Sequence, residues 1–438
     1  MSHPRHSSTR LGRRTLLGGA AAALGLAAAG CTSSESGGAP GSGTVSLMSN
    51  VTADWEAQLR ENITRIQGKH SGLTMELLNV SDGEQFYTKI KTQALSKTLP
   101  DIFYVRTLEL VQFAKDGWIQ PLDDVVAKNP DLVKPDDIWP AATAQATVDG
   151  KWYGINEDLS CFVIYVNKAL FEKKGIPLPT DDWTWEEYFA LAAEFKEMKG
   201  NRQTVWGGSV SSGSYGMRGI LRSNGGEFFD DAGTPVLTSD ANIQTLQTIQ
   251  KAVRDGVIPG PDSLPTGVNP FAAGMLAMQM NGSWGTAANR AAIDDFEWDV
   301  VKLPKGTTGK REIVTAGGTW ALGRDTKNPE LAGLALAEWT SAESQENVEI
   351  LVTTPSLPAR KSFTEGIWKT GHDKELADGK PPTGLYKIRE QITEEASTIT
   401  YPATWATFDV SWNNTIPGLL TSDDPRPGLQ TVQDATLK

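Results

Sequence analysis

Strand-like and helix-like segments alternate early in the chain, and this alternation restricts the fold more than any other feature of the sequence. Thr44 to Ser49 and Leu73 to Val80 have the apolar character of strands, and Glu56 to Gly68 between them has an amphipathic helical pattern. Phe86 to Leu95 is again helical, and Ile102 to Val105 is a third apolar strand. A βαβαβ order of this kind predicts an α/β fold with a parallel sheet and right-handed crossovers.

One tryptophan, Trp284, falls between a predicted strand and a predicted helix. Met275 to Met280 is short and mostly apolar and ends in Asn-Gly-Ser, whereas Thr286 to Ile293 is rich in alanine. Loops at the carboxyl ends of strands line the ligand crevice of open α/β sheets. An indole in that position can stack against the apolar face of a sugar. The alternative is that Trp284 covers the core beside a turn.

The first residues have the composition of an export signal. Arginines are followed by an apolar run, Leu16 to Ala29, of the length expected in a signal peptide. The run leads into Ala28-Ala29-Gly30-Cys31, which resembles a bacterial lipobox except that Ala28 stands where leucine is usual. We expect residues 1–31 to be a signal peptide with its lipobox cysteine, Cys31, and residues 32–43 to be a flexible tether. An ordinary secretory signal cut near Ala29 is the alternative, and both twin-arginine and general export stay open.

Charge and the scarcity of reactive side chains argue against several classes of function. The net charge of −12 disfavours binding to nucleic acid or to anionic lipid. Two cysteines and four histidines are too few and too scattered for a His/Cys metal site or a Ser-His-Asp mechanism. Cys161 lies in a buried-strand pattern and is expected to be inert core. By contrast, the chain has 14 tryptophans, a surplus that calls for a use beyond packing.

A series of short motifs in a fixed order resembles the bacterial extracellular solute-binding proteins of carbohydrate ABC transporters. Each motif is weak by itself, but the ordered set covers nearly all of the chain after the tether. The motifs are Leu99 to Val105, Ala114 to Asp123, Trp152 to Ile155, Val163 to Phe171, Trp183 to Tyr188, Met280 to Trp284, Thr315 to Gly318, Lys327 to Glu330 and Pro358 to Arg360.

The resemblance implies a periplasmic-binding-protein-like fold, in which two α/β lobes joined by a hinge close on a ligand in the cleft between them. Lobe one is expected to comprise residues 44–158 and 304–354, and lobe two residues 159–303 and 355–438. The predicted crossings between the lobes are Lys151 to Asn156, a strand interrupted by a glycine, and the loop from Pro304 to Gly309.

The function implied by the resemblance is binding without catalysis. A monomer anchored to the outer face of the cell membrane by lipidated Cys31 would bind a mono- or oligosaccharide between its lobes. It would then deliver the sugar to the permease subunits of an ABC importer, with no cofactor and no metal. A role in presenting the bound ligand to a sensor stays open.

Candidate ligand contacts lie mainly at strand ends, and each has a structural alternative. Glu157 and Asp158 can accept hydrogen bonds from sugar hydroxyls, or they are solvated loop acids. Gly318 allows a ligand to approach the backbone closely, or it forms a plain tight turn. Apart from Trp284, the remaining candidates are polar or aromatic residues that could equally cap a helix, pack in the core, lie in a flexible loop or form an ion pair: Asn50, Asp54, Glu84, Arg106, Tyr215, Trp320, Arg360 and Trp405.

Two other functions compete with sugar binding. An exported carbohydrate-active enzyme would need two carboxyl groups that face one glycosidic bond across roughly 5–10 Å. Glu157 and Asp158 are adjacent on a strand and point to opposite faces, and Glu186 and Glu187 diverge on a helix, so neither pair suits this chemistry. The other alternative is the same fold with a solute that is not a sugar.

Overall fold

The computed structural model of the protein describes residues 42–51, 53–346, 356–397, 399 and 401–438. The strands are β1 Gly43–Ser49, β2 Leu73–Asn79, β3 Ile102–Arg106, β4 Thr147–Val148, β5 Lys151–Trp152, β6 Ile155–Asn156, β7 Asp158–Asn167, β8 Glu197–Lys199, β9 Arg202–Val205, β10 Met278–Gly282, β11 Trp298–Val301, β12 Thr315–Ala316, β13 Gly318–Leu322 and β14 Leu357–Pro358.

Helices surround these strands. They are Ala53–Lys69, Gly83–Ser96, Thr107–Lys115, Asp123–Lys128, Pro130–Val133, Pro140–Gln145, Lys168–Lys174, Trp185–Ala193, Ser214–Ser223, Asp240–Arg254, Gly285–Ala292, Pro329–Trp339, Ala342–Glu346, Lys361–Phe363, Lys369–Ala377, Leu385–Glu394, Trp405–Thr421 and Arg426–Thr436. In the part of the chain that the structure describes, none of them has the length and apolar character of a membrane-spanning helix.

The first sheet has the order β2-β1-β3-β13-β6. Its strands β1, β2 and β3 are parallel, as the alternating pattern predicts, with Leu47 opposite both Leu77 and Ile102. The apolar residues of β1 are buried because helices cover the sheet. Strand β13 comes from far along the chain and inserts antiparallel between β3 and β6, a pairing that local sequence does not reveal.

Local capping explains where several helices begin. Asp82 accepts a hydrogen bond from the backbone N–H of Gln85 at 2.8 Å and so fixes the start of Gly83–Ser96. Thr184 and Glu187 form a reciprocal capping box at the start of Trp185–Ala193. These caps hold the helices at positions set by the sequence itself.

The second sheet is built on β7, which is buried along almost its whole length. Strands β10 and β11 pair antiparallel with its two sides, and β12 and β14 pair with its beginning. Cys161 in β7 is a buried free thiol, and burial raises its pKa to about 12. The prediction that Cys161 lies in the core is therefore confirmed.

Three segments carry the chain between the sheets. The first is Glu157, which separates β6 of the first sheet from β7 of the second. The second is Gly317, between β12 on β7 and β13 in the first sheet. The third is the segment of β14, since Ala359 donates its N–H to Glu157 O at 3.1 Å and accepts from Trp139 N at 2.9 Å.

The second crossing lies later in the chain than the sequence pattern predicts. Lys305 donates its backbone N–H to Trp183 O at 2.9 Å and accepts from Trp185 N at 3.0 Å. Thr308 N donates to Ser223 O at 3.1 Å. The loop from Pro304 to Gly309 therefore packs against the start of the helix Trp185–Ala193 and the end of the helix Ser214–Ser223. Because β12 also pairs with β7, the boundary placed at residue 304 moves to Gly317.

Candidate functional site

The carboxyl ends of the first sheet's strands form one edge at which several candidate residues meet. Gly318 pairs with Arg106, and Thr319 pairs with Asn156. Glu157 follows Asn156 directly and donates its backbone N–H to Gly318 O at 2.9 Å. The sheet register thus brings together three candidates, Arg106, Glu157 and Gly318. The first and the last of these are more than 200 residues apart in the sequence.

The facing edge of the second sheet carries Trp284. Strand β10 ends at Gly282 opposite Phe162, and Ser283 N donates to Cys161 O at 2.8 Å. Trp284 then begins the helix Gly285–Ala292, as the strand-turn-helix pattern predicts. Its ring packs edge-on against Phe162 with centroids 5.4 Å apart, yet 47% of the residue is exposed. An indole held from one side and open on the other is suited to stacking.

Gly282, two residues before this tryptophan, is required by the position of the ring. A Cβ at Gly282 would lie 2.1 Å from the indole of Trp284, so any other residue would displace the ring. The ring therefore lies against the strand end rather than extending freely into solvent. Such a fixed orientation reduces the entropy lost when a ligand stacks on it.

Glu157 and Asp158 are half-buried carboxyls at the first crossing. The indole N–H of Trp320 donates to Glu157, and Gly318 N donates to the Oδ1 of Asp158 at 2.9 Å. Burial, reinforced by the charge of Asp158, raises the pKa of Glu157 to about 7. Burial also raises the pKa of Asp158. Both carboxyls are thus held by the crossing strands, and each retains acceptor capacity for a further donor.

Gly317 and Gly318 are glycines because the backbone and a ring crowd them. A Cβ at Gly317 would lie 2.3 Å from the carbonyl oxygen of Asp158, and one at Gly318 would lie 2.1 Å from Cε2 of Tyr104. The close approach predicted for Gly318 is therefore made by parts of the chain itself.

Tyr215 links the two sheets. Its hydroxyl lies 3.0 Å from Oγ1 of Thr107, which begins a helix at the carboxyl end of β3. Its ring stacks on Tyr401 with centroids 5.9 Å apart and an interplanar angle of 24°. The next residue, Gly216, approaches Phe162 so closely that a Cβ would be 3.3 Å from that ring. Gly216 and its neighbour Tyr215 therefore lie between Phe162, against which Trp284 packs, and Thr107 at the edge of the first sheet.

Arg106 and Asn50 lie at the first sheet's edge in different surroundings. Arg106 is exposed, pairs with Glu109, and places its guanidinium 4.3 Å from the ring centroid of Tyr87. Asn50 follows β1 and is half-buried. The position of Asn50 at a parallel strand's carboxyl end is the position expected for a ligand contact.

Three other candidates lie in the interior. Trp320 is 2% exposed and packs against Tyr104 and Trp339. Its indole N–H donates a hydrogen bond to the carboxylate of Glu157. Trp405 is also 2% exposed. Arg360 is 1% exposed and donates to the backbone carbonyls of Thr340 and Val133. These three side chains support the fold, and because they are buried they present no surface to a ligand.

Three of the candidate residues fall outside the part that the structure describes. Cys31 is one of them, and the side chains of Asp54 and Glu84 are the others. Their role stays a prediction.

Some polar atoms near the two edges were not predicted from the sequence. The hydroxyl of Ser283 and both amide atoms of Asn156 are buried and make no hydrogen bond among the described residues. Buried polar atoms normally have partners, but these atoms are enclosed by the chain and offer no accessible surface to a ligand. The only available signal was their position beside Trp284 and Glu157. Within the described ranges, no cluster of His, Cys, Asp and Glu is arranged to hold a metal ion.

Comparison with known proteins gives matches over most of the chain. A family model for bacterial extracellular solute-binding proteins matches residues 62–377, well over half of the sequence. A binding protein of Brucella abortus is 25% identical over 271 residues, which are 61% of this chain and 64% of that protein. The match thus spans somewhat less than two thirds of the relative's length.

Solved structures share the fold of the chain. An ABC substrate-binding protein of Listeria monocytogenes in complex with cycloalternan has a TM-score of 0.77 at 22% identity, covering 90% of this chain and 97% of that one. UgpB of Mycobacterium tuberculosis, in complex with glycerophosphocholine, has a TM-score of 0.74 at 20% identity, with 91% and 98% covered. The expected fold, two α/β lobes joined by a hinge around a ligand cleft, is thereby confirmed.

Proposed function

The chain belongs to the bacterial extracellular solute-binding proteins, and on that premise we propose that it binds a mono- or oligosaccharide between its two lobes. The observation that carries this proposal is the half-exposed ring of Trp284 at the edge of the second sheet. Sugars combine an apolar face with a rim of hydroxyls. The aromatic face of Trp284 and the acceptors Glu157 and Asp158, which lie at the start of the strand that carries Phe162, match both parts of such a ligand.

The lobes would close on the ligand around the three crossing segments. Backbone hydrogen bonds join Glu157 to Ala359 and to Gly318, the residue after Gly317. A small rotation about these adjacent segments would therefore move one sheet relative to the other. In this proposal lobe one is residues 44–156 and 318–346, and lobe two is residues 158–316 together with the chain after Ala359. The contact of Tyr215 with Thr107 would stabilise the closed form.

The bound sugar would be passed to the permease of an ABC importer. The Listeria relative is an ABC substrate-binding protein, which supports this partner. The family is extracellular, so the protein is exported. We propose further that lipidated Cys31 anchors it to the outer face of the membrane and that it acts as a monomer. Replacing Cys31 by Ala should release the protein from the membrane fraction into the soluble one.

No catalytic step is part of this proposal. The family and the compared structures are binding proteins. Glu157 and Asp158 are bonded to Trp320 and to the backbone of Gly318, an arrangement that holds them in place without aligning them across a glycosidic bond.

Isothermal titration of the purified protein tests the ligand class. The titrants are glucose, maltose, maltotriose and cycloalternan, with glycerophosphocholine as the non-sugar comparison. Trp284→Leu keeps apolar bulk but removes the ring, and Trp284→Phe keeps a ring. We expect Trp284→Leu to weaken sugar binding by roughly tenfold or more, about 1.4 kcal/mol, and Trp284→Phe to retain most of the affinity. Binding of glycerophosphocholine alone, or equal affinity of both variants and the wild type, would overturn the proposal.

A further inference from the structure

A cavity of about 580 Å³ lies in lobe two, at the end remote from the groove. Trp206 on its lining pairs with Leu276, just ahead of β10, whereas Trp284 follows the other end of that strand. The cavity and the groove are therefore at opposite ends of β10. Cavities from about 300 Å³ upwards are typical of small-molecule sites.

Three segments of lobe two form the walls of this cavity. They are the hairpin of β8 and β9, the loop that follows the helix Asp240–Arg254, and the end of the helix Trp405–Thr421. Six of the residues that line it are Arg202, Gln203, Trp206, Ile258, Asp262 and Thr421. Because all three segments belong to one lobe, the cavity keeps its shape when the lobes move relative to each other.

A cation and an anion line the cavity without pairing. Arg202 and Asp262 are exposed, and among the described lining residues they are the charged ones. Neither side chain forms an ion pair or a hydrogen bond with any residue that the structure describes, so they do not bind each other. A guanidinium binds a carboxylate through two parallel N–H···O bonds, and a carboxylate binds an ammonium group. A molecule that carries both charges would satisfy both side chains at once.

The indole N–H of Trp206 is a further polar group with unused capacity. Trp206 is 7% exposed, and its nitrogen donates no hydrogen bond to a described residue. The nitrogens of Trp152 and Trp298 are also without a partner, but they are fully enclosed, whereas that of Trp206 keeps accessible surface. The amide oxygen of Gln203 likewise accepts no bond there and is not enclosed, since only its amide nitrogen is used, by two backbone carbonyls. A donor and an acceptor are thus available on the lining.

The same lining disfavours a ligand with one charge or with none. An anion at Arg202 would leave Asp262 unpaired and near a like charge, and a cation at Asp262 would do the same to Arg202. A neutral sugar ring would find little aromatic surface, because Trp206 is almost wholly buried, unlike Trp284 in the groove.

We propose that this cavity is a second ligand site, which binds a small zwitterion carrying one ammonium and one carboxylate group, as free amino acids and dipeptides do. The carboxylate of the ligand binds the guanidinium of Arg202, and its ammonium group donates to the carboxylate of Asp262. The N–H of Trp206 donates to a ligand oxygen, and the amide oxygen of Gln203 accepts from a ligand N–H. The site does not depend on which solute the groove at Trp284 takes.

Occupancy of this site leaves the groove unaffected. All of its walls belong to lobe two, so the occupant makes the same contacts in the open and the closed form. A ligand without differential affinity for two conformations shifts neither of them, and by linkage it does not change the affinity of a ligand that does. Sugar affinity should therefore be the same with and without a saturating zwitterion.

The test is isothermal titration, supported by saturation-transfer NMR, of the purified protein with L-alanine and with the dipeptide glycyl-L-alanine. Each probe is compared with its two capped analogues, in which acetylation removes the ammonium group or amidation removes the carboxylate, and with glucose. Arg202→Gln and Asp262→Asn each remove one charge from an exposed lining residue. Arg254→Gln and Asp231→Asn, at exposed positions that do not line the cavity, are the matched controls.

We expect at least one zwitterion to bind with a dissociation constant below about 1 mM and each capped analogue to bind at least tenfold more weakly, about 1.4 kcal/mol. Arg202→Gln should weaken the zwitterion tenfold or more and make it equal to its amidated analogue, whereas the two control variants should leave its affinity unchanged.

Three results overturn the second site. They are failure of both zwitterions to bind, equal affinity for the capped analogues or for glucose, and undiminished affinity in the Arg202→Gln protein. Trp284→Ala should not change the affinity for the zwitterion. A loss in that variant would assign the binding to the groove and would equally overturn the site, whereas the sugar titrations of the groove stand or fall separately.

Discussion

Trp320 donates its indole N–H to the carboxylate of Glu157, and this bond ties the residue at which the chain leaves the first sheet to a strand inside that sheet. Asp158 follows at once and is held by the backbone N–H of Gly318 at 2.9 Å. Two neighbouring carboxyls at a half-buried crossing repel each other when both are ionised. Burial and the charge of Asp158 accordingly raise the pKa of Glu157 to about 7.

The stability of the protein should therefore depend on pH through Glu157. The carboxyl has an ordinary pKa of 4.5 when unfolded and about 7 when folded, so between these values the folded protein binds more protons than the unfolded chain. The free energy of unfolding then falls as pH rises through this window and levels off above it. Glu157→Gln keeps an acceptor for Trp320 but does not titrate. The loss of unfolding free energy between low and high pH should therefore be about 1–3 kcal/mol smaller in this variant than in the wild type.

Urea unfolding at pH 5 and pH 8 measures this effect. Glu61→Gln, at an exposed helix position, serves as the control and should leave the decline unchanged. If the wild type and Glu157→Gln lose equal stability between the two pH values, Glu157 is not the group responsible.

The tryptophans Trp284 and Trp405 should differ sharply when removed. Trp405 is 2% exposed and its ring centroid lies 5.0 Å from that of Phe408 and 4.7 Å from that of Tyr401. Truncation to alanine would open a cavity and cost about 3–5 kcal/mol of folding free energy. Trp284→Ala should cost less than about 1 kcal/mol, because nearly half of that residue is already in solvent. Chemical denaturation of the two variants compares them, and similar losses would contradict the placement of the rings.

Local pattern was sufficient for the elements that position the groove. The strands and helices from Thr44 to Val105 follow from apolar periodicity, and β1, β2 and β3 have the parallel order this pattern requires. Trp284 was placed correctly at a strand-to-helix junction because glycine and small polar residues mark the turn before it. Such signals are contained within about twenty residues of chain.

Long-range pairing was what the sequence could not supply. Apolar character alone does not tell an enclosed tryptophan from an exposed one, and only the insertion of β13 between β3 and β6 shows that Trp320 is enclosed. The second crossing was misplaced for the same reason, since the loop after Pro304 is polar and glycine-containing whether or not the chain changes sheets there. Which sheet it packs against depends on Trp183 and Ser223, which are remote in sequence.

Arg360 should prove structural rather than ligand-binding. Its guanidinium donates to Thr340 O at 3.2 Å and to Val133 O at 2.9 Å, and it lies 3.6 Å from the carboxylate of Asp137. Arg360→Met keeps the apolar stem but leaves these acceptors without partners, at an expected cost of roughly 3 kcal/mol. Lys361→Met, at a half-buried neighbouring position, is the control and should cost far less. A variant that keeps full stability but loses sugar affinity would restore the original expectation for Arg360.

The contact between Gly318 and Tyr104 gives the sharpest test of how the crossing is packed. The backbone at Gly318 does not require glycine for its conformation, but a Cβ there would lie 2.1 Å from the ring of Tyr104. Gly318→Ala should therefore destabilise the protein by about 1–3 kcal/mol through overpacking alone. Gly68→Ala, where a Cβ meets nothing within 4 Å on a helix, should be neutral or stabilising and controls for the substitution itself.

Removing the ring that causes the clash should relieve it. Tyr104→Ala has a cost of its own, since the ring packs against Trp320 with centroids 5.7 Å apart. In the double variant, however, the alanine at position 318 can occupy space that the ring has vacated. The stability loss of the double variant should then be smaller than the sum of the losses of the two single variants by about 1 kcal/mol or more. A double-mutant cycle of urea unfolding measures this difference. Strictly additive losses would mean that the strand start at Gly318 tolerates a side chain by moving, and that the crossing is looser than its packing suggests.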